Sequence, residues 1–214
     1  ADAAPASLKA VVEGLRYAAS RQELLGTYVV DMVAMIFGMP MALFPAIADQ
    51  LGGARVLGWL YAAPSIGALV MTLFSGWAGR IRRHGVAITI SAGLWGVSII
   101  GFGYARSAPL AILFLGLAGA ADMVSGLFRS TVWNQTIPDK LRGRMAGVEM
   151  ISYTSGPQLG NAEAGFVAAY AGLTFSVVSG GVLCVIGVAV CALLLPRFWR
   201  YDSRSSVHAA LPGG

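Results

Sequence analysis

Charge is scarce in this chain: Asp, Glu, Lys and Arg together make up 12% of its 214 residues, against 57% hydrophobic ones. A soluble domain covers its surface with about a quarter charged residues, so a soluble globular fold is excluded. Histidine and cysteine are scarcer still, two of each. His84 falls in a loop between apolar runs and His208 in the C-terminal tail, a placement that excludes a His-rich metal site. No metal-ligand spacing, phosphate-binding glycine loop or nucleophile elbow is present in the sequence. The chain is therefore read as no enzyme, with no catalytic residue, no metal and no cofactor. Cys184 and Cys191 stand two helical turns apart on one apolar stretch. That separation is too long for a disulfide within a helix, and the pair reads as small packing residues.

Apolar runs are what the chain has instead. Six stretches, 24–45, 56–78, 86–104, 109–131, 146–170 and 173–195, each approach the about 20 residues that cross a bilayer as helix. The stretch "LTFSVVSGGVLCVIGVAVCALLL" has no alternation of apolar and polar positions, which excludes the strands of a membrane β-barrel. The 28 glycines fit helices packed backbone to backbone. The fold class is all-α integral membrane, with six transmembrane helices.

Basic residues set the expected orientation, because Lys and Arg collect in cytoplasmic loops. With the N-terminus inside, 13 of the 15 Lys and Arg lie on the cytoplasmic side, leaving Arg55 and Arg106 outside. Both termini of the segment are then cytoplasmic. The net charge of +5 follows from this asymmetry and requires no nucleic acid.

Residues 1–22 read as a cytoplasmic linker whose "SLKAVVEGLRYAAS" places Leu8, Val11, Val12 and Leu15 on one stripe of an amphipathic surface helix. The linker has the look of a connector, and a segment upstream of Ala1 is expected. Residues 23–196 form the six-helix bundle. Residues 197–214 read as a cytoplasmic disordered tail, with Arg, Trp and Tyr at headgroup level before the polar end.

The fifth span is the least ordinary. Ser152, Gly156, Gly160 and Ala164 repeat every four residues, giving a smooth face for close helix packing, and Pro157 removes a backbone hydrogen bond and should kink the helix. The same span carries Glu149, Gln158, Asn161 and Glu163, a heavy polar load for hydrocarbon. Glu149 lies near Arg144 and reads as half of an ion pair at the cytoplasmic end. Glu163 reads equally as a proton carrier or as a solvated group near the outer interface.

In the fourth span, "GAADMVSGLFRSTVWNQ" buries Asp122 and Arg129 among small and apolar residues. Seven positions bring both to nearly one helix face, about 10 Å apart along the axis. At that distance a direct bridge within the helix is not expected, so each needs a partner elsewhere, and Asp31 of the first span is one candidate for Arg129. The functional reading is a cavity whose charges bind substrate or shuttle protons; the alternative is a structural ion pair that fixes helix packing.

The loops carry a resemblance. "GWAGRIRRHG" has the place of the Gly-and-Arg loop of major facilitator transporters, and "IPDKLRGRMAGVE" looks like the Pro-acid-x-x-Arg-Gly-Arg loop of one branch. With "ALFPAIAD" closing the first span, residues 7–200 resemble the C-terminal six-helix half, spans seven to twelve, of major facilitator proteins of the enterobactin-exporter type. One departure is Gly79, which stands where an acid usually latches the arginines of the gate.

The resemblance implies a secondary active transporter, proton-coupled and exporting a siderophore or another amphiphilic molecule, in a bacterial cytoplasmic membrane. Multidrug efflux is the nearest alternative. Asp122, Arg129 and Asp31 would line the cavity, and Glu163 and Asn161 would lie toward its outer mouth. Arg80, Arg82, Arg83, Arg142 and Arg144 would belong to the cytoplasmic gate loops, and Gly156, Pro157 and Gly160 would serve packing and bending. The implied partners are a small-molecule substrate, protons, membrane lipid, and either a missing N-terminal six-helix half or a second copy. A non-transporting six-span interaction module is the reading of another class.

Overall fold

A computed structural model describes residues 8–202, and among them every regular element is helical. An N-terminal helix α1 (Leu8–Ser20) precedes α2 (Gln22–Phe37) and a short α3 (Phe44–Leu51), which together make the first span. Then follow α4 (Ala54–Leu73), α5 (His84–Gly103), α6 (Ala108–Thr136), α7 (Arg142–Ala171), α8 (Leu173–Leu194) and a terminal turn α9 (Pro196–Trp199). Among the described residues, five helical segments are long and apolar enough to cross a membrane, counting α2 with α3. The sixth expected span, α7, has the length, at 30 residues, but its polar load keeps it below that level of apolarity.

The bundle is built around α5 and α6. Helix α5 lies between α6 and α8, α4 packs on the outer side of α6, and α2 packs against α5, α7 and α8. Sequence dictates the closest crossing: a Cβ placed on Gly67 of α4 would strike the carbonyl of Gly116 in α6. Gly119 of α6 is as tight against the Pro64 carbonyl of α4, so Gly67 and Gly119, one on each helix, let the backbones touch.

The first span is not one helix. Gly38 ends α2, Met39 and Pro40 follow, and a turn of 3₁₀ helix over Met41–Leu43 leads into α3. The hydropathy of residues 24–45 is blind to this interruption, but proline has no N–H and its ring opposes a continuing helix. Two side chains bond the groups the break frees. The Trp95 indole N–H donates to the Gly38 carbonyl at 3.0 Å, and the Ala42 N–H donates to Asn161 Oδ1 at 2.8 Å.

Other boundaries differ from the apolar runs for similar reasons. Helix α6 continues past residue 131 to Thr136 because Trp133 and the residues around it find partners on α1 and α2. His84, expected in a loop, is the first residue of α5 and is buried, with its ring 5.2 Å from Phe128 and 6.2 Å from Tyr201. Residues 196–202, mostly assigned to the tail, pack on the bundle. Phe198 is fully buried against Gly26, and the Tyr201 hydroxyl donates to Gln135 at 3.1 Å. Residues 203–214, including His208, and residues 1–7 lie outside the described residues. The amphipathic segment does form α1, which lies on α7 and α2 with Val12 and Leu15 exposed.

Candidate functional site

The two charges of the fourth span meet the acid of the first. Arg129, on α6, forms an ion pair with Asp31 of α2, and their side chains are 3% and 5% exposed. A pair this deep stands only where each charge offsets the other's desolvation, since removing either leaves an uncompensated charge in the apolar interior. The guanidinium also reaches Asp122 of its own helix, with Nη2 3.5 Å from Oδ1. The sequence reading took seven residues as too far for such a contact. Helical side chains lean toward the N-terminus, and the long arginine side chain, leaning that way, spans most of the two turns back to Asp122.

Aromatic side chains wall this charge cluster. The Tyr153 ring of α7 lies 5.9 Å from the Arg129 guanidinium carbon, within cation–π range. Tyr28 and Trp133 stack with centroids 5.2 Å apart, and the Trp133 indole donates to Thr27 Oγ1 at 2.8 Å. Glu149 lies within electrostatic reach of Arg129. It does not pair with Arg144, because five residues turn the two side chains about 140° apart on the helix; Arg144 bonds Glu13 of α1 instead, at 2.8 Å.

Sequence reading found the charges and missed these aromatics. The signal available was spacing: Tyr28 precedes Asp31 by three, Trp133 follows Arg129 by four, and Tyr153 follows Glu149 by four, each on the face of a charge.

Two apolar cavities flank the cluster. One, of about 260 Å³, lies beside the break in the first span and is lined by Met39, Pro40, Tyr61, Trp95, Gly119 and Asp122. The Asp122 side chain is 45% exposed, so this carboxylate is the open member of the cluster. The other, about 370 Å³, runs between α1, α2 and α7 past Leu15, Tyr28, Met32, Val148 and Ser152. Among the described residues the buried Tyr28 hydroxyl and Ser152 Oγ have no hydrogen-bond partner, which leaves both open to a polar group of a ligand or partner.

The remaining expected residues separate. Asn161 is occupied in bonding Ala42. Glu163, half-buried, makes no ion pair or side-chain hydrogen bond among the described residues, and it points about 200° round the helix from Asn161. Gly156 and Gly160 bring α7 against Met35 of α2, and α7 runs as helix through Pro157. Arg142 pairs with Asp139 at 2.9 Å in the loop before α7. Arg80, Arg82 and Arg83 are exposed and have no acidic partner among the described residues.

Comparison with known proteins bears on what this arrangement serves. The multidrug efflux pump Tap of Mycolicibacterium fortuitum is 31% identical over 205 residues, covering 94% of this chain and 49% of that protein. The enterobactin exporter EntS of Escherichia coli is 30% identical over 198 residues, covering 88% of this chain and 46% of the relative. The chain thus spans about half the length of the curated relatives it matches. No solved structure matches it. Residues 30–212 match the Major Facilitator Superfamily, and with most of its length matched and its helices long and apolar enough to cross a membrane, this multi-pass membrane chain belongs to that family.

Proposed function

We propose that the chain supplies one six-span half of a proton-coupled exporter of amphiphilic small molecules, acting in a bacterial cytoplasmic membrane. The observation that carries this reading is the division of labour at Arg129: one carboxylate, Asp31, is buried with it, while the other, Asp122, opens on a cavity beside a broken helix. A guanidinium shared between a closed and an open acid is suited to exchanging partners when the open acid takes a proton. Broken helices beside a mid-membrane cavity are the usual place of substrate and coupling-ion sites in transporters.

The cavity face is covered by a second six-span half, either another part of a longer chain or a second copy. Arg142 and Arg144 steady the loop between α6 and α7, and the concentration of basic residues at that end supports a cytoplasmic position for both termini of the segment. Siderophores and hydrophobic drugs are the two substrate classes that the relatives' names support. Drug efflux is favoured specifically by the Tap match, which covers the larger share of this chain.

The deciding test is transport in energised inside-out vesicles carrying the complete protein, with Asp122→Asn beside the native form. The expected result is loss of proton-driven uptake of the exported compound, whether iron-chelating metabolite or cationic dye, with unchanged protein in the membrane. Uptake at the native rate in Asp122→Asn would remove Asp122 from the coupling pathway.

A further inference from the structure

A large cavity lies away from the Arg129 cluster. It is a groove of about 610 Å³ between α4, α5 and α6, lined by Trp77, Leu94, Phe114, Leu117 and Val124, with Arg83 at one end. This volume falls within the about 300–1,000 Å³ typical of small-molecule sites. Its walls include Ile90, Leu94, Val97 and Leu117, which are exposed on the outside of the bundle, so the groove opens toward the surrounding bilayer. From Arg83 to Ser98 it follows α5 for roughly 22 Å at 1.5 Å per residue, longer than the about 15 Å of hydrocarbon in one leaflet.

The charged end is specific. Arg83 lines it there, and Arg80 and Arg82 stand three and one residues before it in the chain, all three exposed and without an acidic partner among the described residues. The N-terminus of α5 starts at the same point, with no side-chain cap and no acidic residue in its first turn, so its dipole adds to the positive potential. Trp77 sits beside this end, 6.3 Å from Phe128, at the depth where amphipathic rings meet headgroups. An apolar trough as long as a leaflet, closed at one end by guanidinium groups, is complementary to one occupant among membrane components.

We infer that the α4–α5–α6 groove is a binding site for an anionic glycerophospholipid, with an acyl chain along α5 and α6 and its phosphate at Arg83. A zwitterionic lipid offers the same chains but carries a cation that the arginine cluster repels. The missing acid at Gly79 thereby acquires a use: Arg83, which latches no carboxylate among the described residues, can hold a phosphate.

The test is native mass spectrometry of the purified protein in detergent, titrated with dioleoylphosphatidylglycerol or dioleoylphosphatidylcholine. Arg83→Ala and Ala120→Trp serve as variants, the first removing the charge and the second filling the groove. The native protein is expected to retain phosphatidylglycerol preferentially. Arg83→Ala should weaken that retention about fivefold, the size of one basic side chain's attraction to an anionic surface. Ala120→Trp should reduce retention of both lipids, and glycerol phosphate, lacking chains, should fail to compete. Circular dichroism of both variants is expected to match the native protein, since Arg83 is exposed and Ala120 lines open space. Equal retention of the two lipids by the native protein, undiminished phosphatidylglycerol in both variants, or displacement by glycerol phosphate would each overturn the assignment.

Discussion

Helices α5 and α8 contain no charged residue across His84–Gly103 and Leu173–Leu194, whereas α2 and α7 between them hold Glu23, Asp31, Arg142, Arg144, Glu149 and Glu163. The contrast extends to where polar groups find partners. On α5, the Thr89 and Ser98 hydroxyls donate back to carbonyls of their own helix, Gly85 and Leu94. On α2 and α7 the hydroxyls of Thr27, Thr154 and Ser155 do the same, but other side chains find partners on other elements: Asp31 with Arg129, Tyr153 under Arg129, and Asn161 with Ala42. A helix satisfied from within keeps its bonds wherever it sits. One satisfied from outside keeps them only in register with its neighbours, so the charges of α2 and α7 are sensitive to the relative position of helices, while uncharged α5 and α8 are fastened to those two through Trp95 to Gly38 and Ser176 to Ala164.

The strongest way to break the contrast is Arg129→Leu, which strands Asp31 in the apolar interior. A loss of about 3–5 kcal/mol is expected, read as a fall in unfolding midpoint in mixed micelles. Asp31→Leu added to Arg129→Leu should recover most of it. A double variant as unstable as the single one would mean that Asp31 is not the group that Arg129 neutralises.

An intermediate effect is expected at Asn161→Ala. The exposed Ala42 N–H then loses its side-chain acceptor, at a cost of about 0.5–1.5 kcal/mol. Ser98→Ala on α5 removes only a hydroxyl that bonds its own helix and should stay well below that cost. Equal losses for the two would dissolve the distinction between inward and outward satisfaction.

The smallest effect belongs to Glu13→Ala. Its pair with Arg144 is 40% and 46% exposed, and exposed pairs contribute under about 1 kcal/mol. The same unfolding measurement should detect almost no change, while cleavage between α1 and α2 by added protease sharpens the reading by reporting whether α1 has loosened from α7.

How much of this was legible in the sequence depended on what hydropathy sees. Helices α5 and α8 match the apolar runs to within two residues and α4 to within five, because their apolar residues continue along the helix whether they face the core or the outside of the bundle. The first span was read as one helix because Gly38 and Pro40 are apolar enough to pass unnoticed, and their partners, Trp95 and Asn161, lie 57 and 119 residues from the groups they bond. The charges of the site stood out through rarity, and the Asp31–Arg129 encounter was open as one possibility. Its aromatic wall did not stand out, since Tyr28, Trp133 and Tyr153 look like ordinary lipid-facing or core rings until a cation is placed beside them.

The interruption at Gly38–Pro40 carries a mechanical consequence. Bending an intact helix by a large angle sacrifices successive main-chain hydrogen bonds, but here that ladder is already open. Among the described residues, the side chains that bond across the gap are Trp95 of α5 and Asn161 of α7. Tilting α3 relative to α2 therefore strains these two side-chain bonds and the packing of Phe44 on Tyr61 and Phe102 but leaves both helices whole, so α3 hangs on a joint with two hydrogen-bonded fastenings, one on each of the two contrasted regions.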